Sequence, residues 1–410
     1  MSNVELVPAD LTYLYLDRRH YPMHWAMVLE LAPTGPRLTL EQLRARVAER
    51  STLFELFRFR IRRGRVRMPR ATAAATIEVS RHVTEVTFDG DVTVRLGERM
   101  ATRLSTSTPR WHVTLLTPRA GGAQFLLVRV HHALSDGIAG AAFAALLADG
   151  TTDDLREFER FATSPRFRTG PIDPGARAGA EAAFGEQWLA GSEGRGWPRL
   201  TDGGRREVGL AHVATRELRK AARRHDATVH EYVLATIGRT LAAAPPAGSA
   251  AKVVRVTLPV TNDPDFRHTG NAVSIALINL PGGETGLDAQ LERSRTELAL
   301  VETRRPHLAV AAPDTPPNAP WLVQRVVAGR AMRRLDPDIH VGINPGFATV
   351  RSVLGTEIVG LTALSPLVGY SFSVTCLVLG RHTSFGVVAD PDAVGVGYAG
   401  NFAEKFTRAL

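Results

Sequence analysis

The chain has 410 residues, of which 44% are apolar and 22% charged, the balance of a globular protein with two or three folding units rather than of a disordered chain. Its longest apolar run is far shorter than the roughly 18 residues of a membrane-spanning helix, and its first residues lack the pattern of a secretory signal, so the sequence predicts no transmembrane segment and a cytoplasmic location. The net charge of +9 is compatible with nucleic acid, an anionic membrane or a polyphosphorylated cofactor and does not choose between them.

Helix and strand patterns alternate over the first 150 residues. Apolar residues at helical spacing predict helices over residues 9–18, 39–50, 92–104 and 136–148. Apolar stretches of strand length predict strands over residues 23–31, 111–117 and 124–130 and near residues 57 and 82. This order indicates one mixed α/β unit over residues 1–150.

Residues 151–205 lose this periodicity and are rich in Gly, Pro and Arg, which predicts a linker or crossover with one helix at 178–189. The alternation returns over residues 206–410. Helices are predicted over residues 215–224, 228–244 and 287–304 and from 396, with strands over 207–214, 252–260 and 272–280 and near 340, 357, 372 and 384. Proline-rich loops are predicted after residue 304. The fold class is therefore α/β with mixed sheets, in two halves of similar size.

Several common catalytic signatures are absent or out of place. None of the three lysines follows a glycine, which excludes a Walker loop; no G-x-S-x-G is present; and His230-Glu231 lacks the second histidine of HExxH. The GxGxxG match at residues 395–400 is not followed by a βαβ unit, which argues against a dinucleotide site. The single cysteine, Cys376, lies among apolar strand residues and is predicted to be a core side chain rather than a nucleophile or metal ligand.

The stretch 125–140, FLLVRVHHALSDGIAG, runs from an apolar strand through two histidines to the start of a helix. Because side chains alternate across a strand, His131 and His132 should point to opposite sides, which argues against joint binding of one metal ion. One histidine would pack inward, while the other presents a ring nitrogen to a cleft as a general base. Asp136 would cap the helix or pair with an arginine, and Gly137 would allow a sharp bend or a close approach. The structural alternative is a loop whose histidines only satisfy backbone groups.

HHALSDG resembles the HHxxxDG signature of the condensation-like, coenzyme-A-dependent acyltransferase superfamily. Further matches make the chain similar to the bacterial wax ester synthase/diacylglycerol acyltransferase branch. They are Pro8, Asp10, Pro22-Met23-His24, Pro109-Arg110-Trp111, Thr228-Val229, Pro259-Val260, Gly270-Asn271 and Ile343-Asn344-Pro345-Gly346. The resemblance covers nearly the whole chain and is thin between residues 150 and 205. The chain departs from the family at His230-Glu231, where the family has Asn-Asp.

The resemblance implies two chloramphenicol-acetyltransferase-like subdomains that form a pseudo-dimer around a central tunnel. The donor would enter from one side and the acceptor from the other. The second histidine of the signature, His132 in this chain, would be the catalytic base, with His131, Asp136 and Gly137 as motif support. These subdomains would be residues 1–150 and 206–410, which would make a monomer sufficient.

Other candidate site residues follow from their place in the implied tunnel. Ser373 and Thr375 alternate on a C-terminal strand and are candidate oxyanion donors, with ordinary strand hydroxyls as the alternative. Trp111 is a candidate tunnel residue, with core packing as the alternative. Asn271 and His230 complete the set. The bulk of His230 would narrow or repolarise the acceptor side or replace a family hydrogen bond, with a helix-face residue that has no role as the alternative.

The expected function is an O-acyltransferase that moves an acyl group from acyl-CoA, or from a carrier-protein thioester, to a hydroxyl of a small-molecule or lipid acceptor. A specialised metabolite is the favoured acceptor. Acyl-CoA would be a co-substrate, and neither a permanently bound cofactor nor a metal is expected. Two alternatives stay open: a non-catalytic condensation-like domain that binds a carrier protein, and an amide-forming condensation enzyme.

Residues 57–70, FRFRIRRGRVRMPR, concentrate seven arginines without an acidic residue. Apolar residues alternate with the arginines on both sides of Gly64, which predicts a strand or hairpin with an arginine face. Charge would protect an edge strand from aggregation. The alternative is a docking surface for the phosphates of coenzyme A or for an acidic carrier protein. Nucleic acid is not expected, because the segment has no aromatic stacking platform.

Overall fold

The computed structural model describes residues 3–62, 68–193, 195–314, 319–347 and 351–410. Its strands are β1 (Asn3–Val4), β2 (His24–Leu31), β3 (Phe59–Arg62), β4 (Arg70–Ala73), β5 (Val83–Phe88), β6 (Trp111–Pro118), β7 (Phe125–His131), β8 (Glu207–Ala214), β9 (Val253–Thr261), β10 (Val273–Pro281), β11 (Ile339–Phe347), β12 (Ser352–Val353), β13 (Thr356–Leu364), β14 (Phe372–Leu379) and β15 (His382–Ala389). Its α-helices are α1 (Pro8–Leu16), α2 (Leu40–Arg50), α3 (Val92–Ala101), α4 (Arg160–Thr163), α5 (Pro174–Ala190), α6 (Thr215–Arg224), α7 (Val229–Ala243), α8 (Leu287–Arg304), α9 (Trp321–Leu335), α10 (Pro391–Val394) and α11 (Tyr398–Ala409).

Two six-stranded mixed sheets form the framework. The first has the order β12-β13-β2-β7-β6-β5 and the second the order β10-β9-β11-β14-β15-β8. In the first sheet β5 and β6 are parallel and the other pairs are antiparallel. In the second sheet β11 runs parallel to both β9 and β14. The predicted α/β class with mixed sheets in two halves is therefore confirmed.

One strand that follows β11 in the chain belongs to the sheet of the first half. β13 pairs with β2 of the first sheet, although it follows β11 of the second sheet in the chain. Residues 352–364 therefore belong to the sheet of the first half, which corrects their predicted place in the 206–410 subdomain. The boundaries at residues 150 and 205 otherwise stay a prediction. This pairing fixes the two sheets against each other and holds the space between them.

Three apolar clusters follow from the alternation of side chains across the strands. Trp25, Met27 and Leu29 of β2 face the core of the first half, while Ala26 and Val28 face a cluster between the two sheets. That shared cluster also contains Val208 and Val388 of the second sheet, together with apolar residues of α3. A separate core packs α7 and α11 against the second sheet. The layer between the sheets is thus partly filled by apolar side chains.

Local sequence signals set several helix ends. Thr39 and Thr228 begin α2 and α7 with capping boxes, in which the threonine hydroxyl and a Gln or Glu side chain satisfy backbone N–H groups. The predicted helices over residues 215–224 and 287–304 have the bounds observed for α6 and α8. The segment predicted as a linker contains the predicted helix, α5, which packs against β10 rather than hanging free.

The segment predicted as an α-helix over residues 136–148 is a 3₁₀-helix, Ala139–Leu146. Nearly all of its small side chains are buried, and a side chain at Gly140 would collide with the indole of Trp25. The Nε1 of Trp25 also donates to the carbonyl of Ser135 at 2.8 Å. Close packing against this indole accompanies the tighter 3₁₀ winding, which apolar periodicity alone does not reveal.

Helix α9 lies where proline-rich loops were predicted. Its buried side chains are Trp321 and Gln324, whereas Leu322, Val323, Val326 and Val327 are exposed. The apolar residues therefore face away from the packed side of the helix. Because sequence periodicity identifies a helix by an apolar buried face, this inverted arrangement hid α9.

The arginine-rich segment lies in a small sheet of order β1-β4-β3. β3 is an edge strand that pairs with β4 in antiparallel fashion, as the charge-protected edge interpretation expected. Residues 63–67 lie outside the described residues. The docking-surface alternative stays a prediction.

Candidate active site

The strand β7 ends at His131, and the next residue, His132, faces the other way. The backbone N–H of Ala133 donates to Nδ1 of His131 at 3.1 Å, which leaves the ring proton on Nε2. That Nε2 lies 3.3 Å from a carboxylate oxygen of Asp17. Arg103 and Arg110 also reach Asp17, at 2.5 and 3.5 Å. His131 thus belongs to a buried ionic network on one side of the strand.

His132 faces a cavity on the opposite side. Its ring stacks on Tyr13 with 3.7 Å between ring centroids and 9° between planes. Its Nδ1 lies 2.8 Å from Oδ1 of Asn271. No described residue hydrogen-bonds to Nε2 of His132, and the residue lines the cavity wall. The two histidines therefore cannot bind one metal ion together.

Asn271 determines which nitrogen of His132 carries the proton. Its Nδ2 donates to Oδ1 of Asp10 and to the backbone carbonyl of His132, both at 2.8 Å. Both partners are acceptors, so the amide nitrogen must lie on their side and Oδ1 must face the ring. Nδ1 of His132 therefore donates to Asn271, and Nε2 carries a lone pair.

Asp10 supports this arrangement from a fully buried position. It accepts from Nε of Arg166 at 2.6 Å and from the backbone N–H of Val7 at 3.1 Å. A chain of hydrogen bonds thus leads from Arg166 through Asp10 and Asn271 to the imidazole of His132. Burial lowers the pKa of His132, and the hydrogen bond to Asn271 opposes this only in part. The ring is therefore neutral at pH 7 and able to accept a proton.

Asp136 joins the two halves next to His132. One carboxylate oxygen accepts from the backbone N–H groups of Ile138 and Ala139, which caps the 3₁₀-helix. The other accepts from the backbone N–H of Ala272 at 2.9 Å and lies 3.0 Å from Nε2 of His268. Asp136 is thus a cap whose partner is a histidine and not an arginine.

A cavity of about 1320 Å³ lies between the two halves. Its wall combines Met27 and His132 from the first half with Pro259, His340 and Thr375 from the second. The wall is mainly apolar, and its polar side chains include those of His132 and His340. An apolar cavity with a neutral imidazole can hold an uncharged substrate beside a general base.

Comparison with known proteins agrees with this arrangement. Residues 6–188 match the family described as the wax ester synthase/diacylglycerol acyltransferase catalytic domain. The resemblance inferred from HHALSDG is confirmed, and the match supports an acyltransferase. No curated protein matches the sequence of the chain.

Solved structures show the same fold at low sequence identity. The wax ester synthase/diacylglycerol acyltransferase from Marinobacter aquaeolei VT8 superposes with a TM-score of 0.68 at 14% identity, covering 100% of this chain and 98% of that one. The first condensation domain of the CDA synthetase gives 0.61 at 16% identity, with coverages of 99% and 95%. A variant of the starter condensation domain of rhizomide synthetase, in complex with C8-CoA, gives 0.57 at 15% identity, with coverages of 99% and 94%. The chain thus has the paired chloramphenicol-acetyltransferase-like fold along its full length.

Three predicted site residues lie away from the cavity. Trp111 is buried in the core of the first half, where its Nε1 donates to the carbonyl of Phe57 at 2.8 Å. His230 is exposed in the first turn of α7, so it cannot narrow the acceptor side. Ser373 is fully buried beside Val388 between the sheets and does not line the cavity. In each case the element was predicted, but the face of that element was not.

Two other predicted residues do line the cavity. Oγ1 of Thr375 lies 2.9 Å from Oγ of Ser365, which also lines the wall. Gly137 borders the cavity too, but its φ is not positive and a side chain there would meet open space. The predicted close approach at Gly137 is therefore wrong, whereas the predicted bend agrees with the turn in which the residue lies. The glycine instead leaves cavity space unfilled.

Cys376 is buried in the core of the second half, as predicted, and burial raises the pKa of its thiol to about 12. Tyr13, Arg166 and His340 are site residues that the motif analysis did not include. Within the described residues, no helix is long and apolar enough to cross a membrane. The described residues also include no group of three or more His, Cys, Asp or Glu side chains placed to hold a metal ion.

Proposed function

We propose that the chain is an O-acyltransferase that moves an acyl group from acyl-CoA, or from a carrier-protein thioester, to a hydroxyl of a small-molecule or lipid acceptor. The observation that carries the proposal is the unpaired Nε2 of a neutral His132 at the wall of the cavity. The family match and the neighbour in complex with C8-CoA support a thioester donor. In this proposal His132 is the general base.

In the reaction, the hydroxyl oxygen of the acceptor attacks the thioester carbonyl carbon while Nε2 of His132 removes its proton. A C–O bond forms and the carbonyl oxygen gains negative charge. The C–S bond then breaks, and the imidazolium returns the proton to the leaving thiolate. The products are the ester and the free thiol, and His132 is neutral again. General base catalysis of this kind contributes about 10²- to 10⁴-fold.

The size of the cavity favours direct transfer between two bound substrates. About 1320 Å³ exceeds the roughly 300–1,000 Å³ of a typical small-ligand pocket. A covalent acyl-enzyme on the buried thiol of Cys376 is disfavoured, because that thiol belongs to the core of the second half. Both substrates would therefore be present when His132 acts.

The oxyanion would be stabilised by the hydroxyl pair of Thr375 and Ser365. One of the two hydroxyls donates to the other, so the accepting hydroxyl keeps its own proton for a group in the cavity. A donor aimed at the developing charge lowers the barrier more than one aimed at the ground state. Ser373, which does not line the cavity, has no part in this proposal.

The test is time-resolved thiol release from a panel of acyl-CoA donors, with and without alcohol acceptors, and with amines as a separate arm. The natural protein is compared with His132→Ala and with the control His212→Ala, which removes an exposed histidine outside the cavity wall. We expect acceptor-dependent release that is lost in His132→Ala and kept in His212→Ala. Thermal melting of each variant checks that it is folded.

Thiol release by a folded His132→Ala variant at the rate of the natural protein would contradict the assignment of the base. Thiol release that depends only on amines would show that the acceptor is an amine and not an alcohol. Release from no acyl-CoA, followed by release from a carrier-protein thioester, would assign the second donor class. Release from neither would contradict the proposed function and favour the non-catalytic alternative.

A further inference from the structure

A second, half-buried histidine faces the cavity from the opposite half of the molecule. His340 lies on β11, with Gly342 and Asn344 on the same face of the strand, and all three line the cavity wall. Thr375, on the neighbouring strand, is directly opposite Gly342. His340 and Thr375 therefore line the cavity from neighbouring strands, and the hydroxyl of Thr375 contacts that of Ser365.

The contacts of His340 determine its protonation. Its ring stacks on Tyr370, with 5.2 Å between centroids and 13° between planes. The hydroxyl of Thr257 donates to the carbonyl of Ile339 at 3.3 Å and lies 3.1 Å from Nδ1 of His340. A hydroxyl has one proton, and we assign that of Thr257 to the carbonyl of Ile339, so that Thr257 accepts from His340 and the ring proton lies on Nδ1. Nε2 then carries a lone pair.

No described residue hydrogen-bonds to Nε2 of His340. This nitrogen lies over Gly342, where a side chain would come within 3.4 Å of it. Burial, together with the nearby His132, lowers the pKa of His340 to about 4, so the ring is neutral at pH 7. The groups around the ring include the uncharged ring of Tyr370, the hydroxyl of Thr257 and the amide of Asn344. Nε2 of His340 is thus a second acceptor in the wall, besides Nε2 of His132, to which no described residue donates a hydrogen bond.

The chemistry of the two substrates decides which one can supply that donor. The carbonyl oxygen, sulfur and alkyl chain of an acyl thioester donate no hydrogen bond, and the nearest donor on that substrate is the pantetheine amide N–H, two carbon atoms beyond the sulfur. The reacting hydroxyl of the acceptor donates to His132. A further donor near His340 is therefore this amide or another group of the acceptor molecule, and a raised KM for acyl-CoA in a His340 variant would identify the amide.

We propose that the acceptor is a polyfunctional alcohol whose second hydroxyl or N–H group donates to Nε2 of His340. This inference rests on the proposed acyl transfer and narrows its acceptor class to diols, polyols and amino alcohols rather than simple alkanols. His340 is then a specificity residue, because an alkanol leaves its nitrogen unpaired in the cavity. Such a loss reduces kcat/KM by about tenfold or more.

The experiment compares pairs of alcohols of equal carbon number, octan-1-ol against octane-1,2-, 1,3- and 1,4-diol. They are tested on the natural protein, His340→Phe and His340→Gln. Phenylalanine keeps the aromatic stacking but has no acceptor, while glutamine returns an acceptor near the position of Nε2. The control is His82→Phe, since His82 is a buried histidine that packs against the ring of Trp111 and also has a pKa of about 4, but lies outside the cavity wall.

We expect the natural protein to prefer one of the diols over octan-1-ol by about tenfold or more in kcat/KM. His340→Phe should lose this preference because kcat/KM falls more for the diol than for octan-1-ol, and His340→Gln should recover part of the preference. His82→Phe should keep it. An unchanged preference in His340→Phe, or an equal loss for all acceptors with a raised KM for acyl-CoA, would overturn the proposal.

Equilibrium binding of the same alcohols without a donor, measured by saturation-transfer NMR, gives a readout independent of turnover. Diol-selective binding that disappears in His340→Phe supports the site. Equal binding of diols and octan-1-ol to the natural protein overturns it. Selective binding without thiol release from any donor would instead contradict the proposed acyl transfer while leaving the diol site supported.

Discussion

His131 and His132 are adjacent in the chain and have opposite surroundings. Strand alternation directs His131 into a network with Asp17, Arg103 and Arg110, where every group has a charged partner. It directs His132 into an apolar cavity, where its partners are the amide of Asn271 and the ring of Tyr13. The same side chain therefore contributes to stability on one side of β7 and is available for chemistry on the other.

The difference lies in how each ring nitrogen is used. Both nitrogens of His131 are occupied, one by a backbone N–H and one by a carboxylate. Among the described residues, a partner is found for Nδ1 of His132 alone, and this partner, Asn271, brings no charge next to the ring. A carboxylate in place of Asn271 would raise the pKa of His132. A neutral amide instead orients the imidazole and keeps it neutral.

The largest effect is expected for a variant on the side of His131. Asp17→Asn removes the carboxylate from the buried Arg110 and His131 and from the partly exposed Arg103. Breaking a buried ion pair costs about 3–5 kcal/mol in the free energy of unfolding. Urea unfolding measures this loss, while acyl transfer per folded molecule should stay within about threefold. If folded Asp17→Asn lost acyl-transfer activity to a similar extent as it lost stability, the separate roles of the His131 side and the His132 side of β7 would be contradicted.

The pH dependence of that loss provides a control. Burial alone would raise the pKa of Asp17, but His131 and Arg103 outweigh it and hold the pKa well below its usual range. The stability that Asp17 contributes is therefore present above its unfolded pKa of about 4 and is lost as the pH falls below that value. The difference between the natural protein and Asp17→Asn should shrink in acid. A difference that is constant with pH would point to packing rather than charge.

A smaller effect is expected for Asn271→Leu, on the side of His132. The variant keeps the bulk of residue 271 but no longer fixes the proton on Nδ1, so kcat should fall about 10- to 100-fold. The neutral ring is the active form, so the activity of the natural protein should fall only below about pH 6.5. Without the hydrogen bond to Asn271, the pKa of His132 should decrease further and the acid limb should move to lower pH. A pH–rate profile that does not move would assign Asn271 a structural role alone.

The smallest effect is expected for Gly137→Ala. The φ of Gly137 is not positive and a methyl group would enter open space. The free energy of unfolding should therefore be unchanged or raised by less than about 1 kcal/mol, which thermal melting measures. The methyl group would occupy a little of the cavity, and larger side chains at the same position should reduce acyl transfer progressively. A strong destabilisation would indicate that the turn at Gly137 requires a glycine.

Much of the fold could be predicted because its elements carry local signals. The helix start at Thr228 follows from a capping box, and the ends of α6 and α8 follow from apolar spacing. Helix α9 could not be predicted in this way, because its apolar residues face outward. The exchange of β13 into the first sheet is a long-range pairing, for which the local sequence contains no signal.

The site was predictable only in part for the same reason. The opposite directions of His131 and His132 follow from strand alternation, and Asp136 follows from capping. The link from Asp10 through Asn271 to His132 joins residues more than 130 positions apart, so no local motif contains it. Trp111 was assigned to the tunnel because the motif gives its strand and not its face. His340 looks like any strand residue until β11 is placed beside the cavity.

The most direct test of the account is the protonation state of His132, measured by ¹⁵N NMR on protein with labelled histidine rings. Among the 13 histidines, the His132 signals are those missing from the spectrum of His132→Ala. The account predicts a neutral ring at pH 7 with the proton on Nδ1 and a bare Nε2, which becomes protonated only below about pH 6.5. A charged ring at pH 7, or a proton on Nε2, would contradict it.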